Sequence, residues 1–297
     1  MKTDVEKTKA LLKNVKRIEI KTKHLVDGLL TGAYHSVFKG RGIEFSDVRE
    51  YMVGDDVRNI DWKVTARFNQ PYVKEFVEER DLTLYILFDV SASNLFGSER
   101  DKKSIAIEVA ASLMFAALRN NDNAGLVMFT ENVEKFFRAK KGKKHILRMI
   151  REMLFYMPER KGTNIGNAMR FISKIAKKRS VVFIISDFLA QEDFEHELRL
   201  LKHKHDVIAV CIRDERELEL PDIGYIEVED EETEEQMLID TSDPNFRTAY
   251  VKVMREKDEK LAKLMKRCGV DFIKIMTHES FEIPLKRFFM LREKRMR

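Results

Sequence analysis

A chain of 297 residues, 44% hydrophobic and 35% charged, is long enough for one large α/β domain with additions or for two ordinary domains, and its surface is densely ionic. Its 55 Lys and Arg against 50 Asp and Glu leave a net charge of +5, a balance that argues against a continuous basic face for nucleic acid. The two cysteines, Cys211 and Cys268, require no oxidising compartment; the charged N-terminus is unlike a signal peptide, and no apolar run approaches the roughly 20 residues of a membrane span, so the expectation is a cytoplasmic protein.

In chain order, the first 27 or so residues read as a basic amphipathic helix, and the stretch up to residue 80 as an irregular extension. Strands and helices then alternate. "LTLYILFD" (82–89) is a continuous apolar run, as expected of a strand covered on both faces. Ile105, Val109 and Leu113 recur every four residues and predict a helix. "NAGLVMFT" (123–130) and "VEKFFRA" (133–139) predict two strands whose connection at Glu131 and Asn132 is so short that they must pair antiparallel. Ile146, Ile150, Met153 and Met157 mark a helix, and Ile165, Ala168, Met169, Ile172, Ile175 and Ala176 the cleanest helical stripe in the chain.

"SVVFIISD" (180–187) is a second fully apolar strand, followed by a helix on Phe194, Leu198 and Leu201 and a strand at "DVIAVCI" (206–212), which buries Cys211. Residues 217–241, with the acidic run "EVEDEETEE", read as a polar hairpin or loop inserted after a core strand. A charged helix over about 246–266, the strand "VDFIKIM" (270–276) and a terminal helix complete the chain. This pattern predicts an α/β fold: a doubly wound, mostly parallel sheet with one antiparallel edge strand over residues 81–297, preceded by a helical and irregular extension over 1–80.

Ligands of such sheets collect beyond the carboxyl ends of the strands, where the winding reverses. Two apolar strands here end in aspartate, at Asp89 and Asp187. Side by side, two carboxylates repel unless a cation or a basic side chain lies between them. Ser91 and Ser93 leave the first strand on the same side, and Thr163 sits in the Gly-flanked turn "KGTNIGNA" (161–168). Taken singly, Ser93 and Thr163 also read as ordinary helix N-caps. Together the five side chains are hard oxygen donors without His or Cys, a set that suits Mg²⁺, Mn²⁺ or Ca²⁺ rather than zinc.

Asp89-x-Ser91-x-Ser93, with Thr163 and Asp187 downstream, resembles the metal-ion-dependent adhesion site of von Willebrand factor A domains, and the element order from 81 to 297 is similar to that fold. The resemblance implies a non-enzymatic module that uses a bound divalent cation to grip an acidic group on a partner protein. "GRGIEFSDVREYMVGDDVRNIDWKVTAR" (40–67), with the later "RDERELELPDIG" and "DTSDP", resembles the signature of the bacterial and archaeal family called domain of unknown function fifty-eight, over nearly the full length. Members of that family are typically encoded beside MoxR-type AAA+ ATPases, so the resemblance implies such an ATPase as partner, in chaperone-like maturation or assembly of other proteins.

Within the signature, Arg49, Arg58 and Arg67 with Asp55, Asp56 and Asp61 can form an ion-pair network, with Trp62, the only tryptophan, buried as an anchor. Alternatively, Arg49, Arg58, Trp62 and Arg67 form a docking surface for the ATPase, since Trp and Arg are typical hot-spot residues. Two other functions fit these residues less well. A metal-dependent hydrolase or phosphotransferase using Asp89 as nucleophile wants a second acid two residues on, where Ser91 stands. Nucleic-acid binding through "KRFFMLREKRMR" runs against the acidic segment and the balanced charge. His203 and His205 read as a solvent-facing helix surface, and the absence of a GxxxxGK[ST] loop assigns any ATP hydrolysis to a partner.

Overall fold

The structure is a computed structural model that describes residues 15–22, 26, 34, 37–38, 44–77, 82–91, 102–158, 162–189, 193–229 and 236–296. The elements are β1 (Glu44–Glu50), α1 (Trp62–Phe68), β2 (Tyr72–Val77), β3 (Thr83–Asp89), α2 (Lys102–Arg119), β4 (Asn123–Phe129), β5 (Val133–Lys140), α3 (Lys143–Phe155), α4 (Ile165–Ile175) and β6 (Val181–Ser186). They continue as α5 (Glu195–Lys204), β7 (Asp206–Arg213), α6 (Glu215–Leu218), β8 (Tyr225–Glu229), β9 (Gln236–Asp240), α7 (Pro244–Arg267), β10 (Asp271–Met276) and α8 (Glu282–Met296).

Six strands form the central sheet in the order β10-β7-β6-β3-β4-β5. Every neighbouring pair is parallel except β4 and β5, as the short turn between them demands. The predicted doubly wound sheet with an antiparallel edge strand is therefore the observed one. Its strands are continuous apolar runs because both faces are covered. Leu84, Ile86 and Phe88 of β3 pack with α2, α3 and α8 on one face, whereas Tyr85 and Leu87 pack with α4, α5 and α7 on the other. Complete burial of side chains such as Ile86 and Leu87 contributes roughly 1.5–3 kcal/mol each.

Residues 15–22 are helical, as predicted for that stretch; the remainder of the expected N-terminal helix lies outside the described residues. Ile18, Val26, Tyr34 and Val37 join the same apolar cluster as β3 and α2. Phe38 packs edge-on against Phe183 of β6 and Phe289 of α8. Residues 44–77, expected to be irregular, hold a hairpin: β1 and β2 pair antiparallel with α1 between them, and Asp61 caps α1 by accepting from the backbone of Lys63 and Val64. Within 217–241, β8 and β9 form an antiparallel hairpin; residues 230–235 of the acidic run are outside the described residues. Among the described residues, no helix is long and apolar enough to cross a membrane.

Candidate metal centre

The winding of the central sheet reverses between β3 and β6. These strands pair in parallel with Phe88 opposite Ile185, so Asp89 and the Ser186–Asp187 pair emerge together at the carboxyl edge. Both aspartates are buried. The Ser186 hydroxyl donates to Asp89 Oδ2 at 2.6 Å and accepts from the backbone N–H of Phe188 at 3.0 Å. Asp89 Oδ1 accepts from the N–H of Ser91 at 3.0 Å, and Asp187 Oδ1 from that of Leu189 at 3.1 Å. Phe188 has φ 55°, a left-handed conformation that costs a bulky residue free energy; Ser186 holds it there, and the turn carries the chain away just past Asp187.

Ser91 is buried beside Asp89 and hydrogen-bonded to it. Thr163 is half-buried in a turn that the N–H of Asn164 ties to the carbonyl of Thr130, just beyond β4, at 2.9 Å. The N-cap of α4 is Asn164, which accepts from the N–H of Asn167 at 2.7 Å, so the capping reading of Thr163 does not hold. Among the described residues the Thr163 hydroxyl makes no hydrogen bond. Ser93 lies outside the described residues.

Three residues at this edge escaped the sequence reading: Ser186, Lys102 and Glu217. Lys102, at the first turn of α2, is fully buried, with its Nζ 2.9 Å from Asp187 Oδ2 and hydrogen-bonded to Glu217. Burial pulls the Lys102 ammonium down, but the Asp187 and Glu217 carboxylates outweigh it and hold its pKa above the ordinary value. Burial raises the Glu217 carboxyl in spite of the ammonium beside it. Asp89 is pushed up to about 6, first by burial and then by the charge of Asp187. Beyond Glu217 the polar layer continues along the strand ends: Thr277 donates to Asp214 at 2.6 Å, and the buried Arg213 binds Asp258 at 3.0 Å.

The residues present fit a hard divalent cation. The donors are oxygen throughout, Thr163 offers a hydroxyl with no partner among the described residues, and Asp89 is buried beside the negative charge of Asp187. Lys102 already supplies one positive charge on the Asp187 side. Among the described residues, no group of three or more His, Cys, Asp and Glu side chains gathers into a ligand set. His205 is no part of it; contrary to the solvent-facing reading it is buried, because it closes α5 with Nδ1 accepting from the N–H of Ser180.

Residues 47–260 match the family described as "Protein of unknown function DUF58". The chain belongs to that family. The DUF58 chain is 28% identical over 285 residues to the Mycobacterium tuberculosis protein Rv1480, spanning 94% of this chain and 89% of that one. Among solved structures it is similar to an aerotolerance-related membrane protein from Bacteroides fragilis, with TM-score 0.48, 12% identity, and coverage of 72% of this chain and 99% of that one. It is also similar to proximal thread matrix protein 1 from the mussel byssus, solved with a zinc-occupied MIDAS motif, with TM-score 0.38, 20% identity, and coverage of 45% and 38%.

The DUF58 signature forms only part of the predicted ion-pair network. Arg49 grips Asp55 through two bonds of 2.7 Å, and this contact, with the N–H of Met52, lowers the Asp55 carboxyl to about 2. Arg58 pairs with its near neighbour Asp56 at 3.2 Å, Asp61 caps α1, and Arg67 makes no ion pair among the described residues. The burial expected of Trp62 is corrected. It is 70% exposed, because it opens a two-turn helix with no buried residue. Met52, Val53, Val57 and Phe68 are exposed in the same segment, a concentration of apolar side chains that typifies interaction surfaces.

Proposed function

We propose that this protein is an interaction module rather than a catalyst, with a divalent-cation site at the carboxyl edge of the sheet held by Asp89, Ser91, Ser93, Thr163 and Asp187. Mg²⁺ is the cation we assign, Mn²⁺ and Ca²⁺ sharing its preference for oxygen. Bound among largely neutral hydroxyls, such an ion keeps enough positive charge to attract a carboxylate from a partner protein. The observation that carries the reading is the burial of Asp89 beside Asp187 at the switch point, with Asp89 raised to about 6. Ser186 orients Asp89, and Lys102 holds Asp187 in place. Ser91, two residues after Asp89, cannot act as the general acid that an aspartyl nucleophile requires.

The partner we assign is a MoxR-type AAA+ ATPase, met in the cytoplasm, with which the protein acts in chaperone-like maturation or assembly. Arg49, Arg58, Trp62 and Arg67 form the docking surface for it. The exposure of Trp62 among Met52, Val53, Val57 and Phe68 favours docking over an internal anchor. Calorimetric titration of the chelator-stripped protein with Mg²⁺ and Mn²⁺ tests the first part. One-to-one binding that disappears in Asp89→Ala supports it; no binding by the wild type, with the ATPase present as well as absent, refutes it. For the docking surface, Trp62→Ala should abolish co-elution with the purified ATPase, and unchanged co-elution refutes that assignment.

A further inference from the structure

At the opposite side of the sheet from β5, the sheet ends at β10. This strand pairs with β7 in parallel register over all its six residues and has no second neighbour among the described residues. Alternate N–H and C=O groups of such an edge point away from the sheet, a template onto which another strand can add. α7 and α8 pack on opposite faces of β10. Between them runs a groove of about 590 Å³ lined by Gly269–Lys274, by Lys266 of α7 and by the turns of α8 that carry Arg287, Phe288 and Leu291.

The charge of this groove is one-sided. Lys266, Lys274, Arg287, Arg292 and Arg295 line it against the single acid Asp271. Arg292 and Arg295 bind Asp271 at 2.9 and 3.1 Å, so its carboxylate is already neutralised. Lys274 is held by Asp258 of α7. Lys266 and Arg287, one on each helix, are exposed and make no ion pair among the described residues. An extended chain laid along β10 would meet one of these cations on each side. Its backbone would complete the edge, and its side chains, alternating up and down, would reach the two helices in turn.

We propose that the β10 groove binds an extended acidic segment of a protein partner by strand addition. This site is separate from the metal centre and does not depend on it. The test is fluorescence anisotropy of a labelled peptide of about ten residues alternating Glu and Val, with EDTA present so that no metal-held carboxylate contributes. Saturable binding is expected, weakened at least about tenfold in Lys266→Glu/Arg287→Glu and lost when alternate peptide nitrogens are methylated. Hydrogen exchange should show new protection in residues 271–276. Absence of saturable binding overturns the proposal. So does undiminished binding of the methylated peptide, which would mean charge attraction without strand pairing, or indifference to the charge reversal, which would place the peptide elsewhere.

Discussion

Replacing Lys102 by Met keeps the length and bulk of the side chain and removes its charge. In the wild type the ammonium is fully buried, 2.9 Å from Asp187 Oδ2 and bonded to Glu217, so two carboxylates share one counter-charge. Removing one partner of a buried ion pair leaves the other stranded in a medium that solvates it poorly, at a cost of about 3–5 kcal/mol. Because Asp187 and Glu217 both lose their cation, Lys102→Met should fall at the upper end, about 5 kcal/mol. Urea denaturation reads this directly, as a fall in midpoint with an unchanged slope. Adding Glu217→Gln removes one of the stranded charges and should return about 1–3 kcal/mol, the coupling expected of residues in one network. With the proposed cation site, Mg²⁺ should stabilise Lys102→Met more than wild type, since the variant has lost the charge that would compete with an ion near Asp187. A loss below about 1 kcal/mol would refute the argument, because it would mean that the ammonium reaches water in solution.

Ser186→Ala removes the donor to Asp89 and the acceptor for Phe188, and should cost about 1–3 kcal/mol by urea denaturation; no loss would mean that the switch-point turn does not depend on that hydroxyl. Trp62→Ala should change stability by no more than about 0.5 kcal/mol, since the side chain is exposed, and a larger loss in thermal unfolding would point back to a structural anchor. Burial, with the charges of Lys204 and Arg179, holds the His205 pKa below its ordinary value. An imidazole depressed in the folded state leaves stability intact above its unfolded value, near 6.5, and stability is lost as pH falls from there through the folded value. Asp89, raised to about 6, titrates in the same window with the opposite sign, so the difference between proteins is the readout: from pH 8 to 5.5 the urea midpoint of His205→Gln should rise relative to wild type, and a constant difference would show that His205 does not contribute.

Much of the candidate site was legible because its motifs are local. The D-x-S-x-S run, the "GTN" turn and the "SD" strand end each carry their chemistry within a few residues. Lys102 was harder. It lies three residues before Ile105, on the apolar stripe of α2, but a lysine in that place ordinarily extends its ammonium to water. Its burial follows from Asp187 and Glu217, 85 and 115 residues away, which no local pattern connects to it. The β1–β2 hairpin was missed because "EFSDVRE" is charged at more than half of its positions and shows no alternation of apolar and polar residues. Trp62 was misjudged because composition favours burial of a lone tryptophan, whereas the outward face of a two-turn helix decides otherwise.

The sequence by itself determined the strands and helices of the sheet, its one antiparallel pair and the five oxygen-bearing residues proposed for the metal. Apolar period, turn length and side-chain chemistry all act within a few residues and need no knowledge of the rest of the chain. Only the tertiary structure decided that β3 and β6 are neighbours, so that Asp89 meets Asp187, and that β10, between two basic helices, has no second strand beside it among the described residues. Strand order, long-range ion pairs and exposure arise when distant segments compete for the same sheet and the same water. That competition is settled by the whole fold and by no single segment.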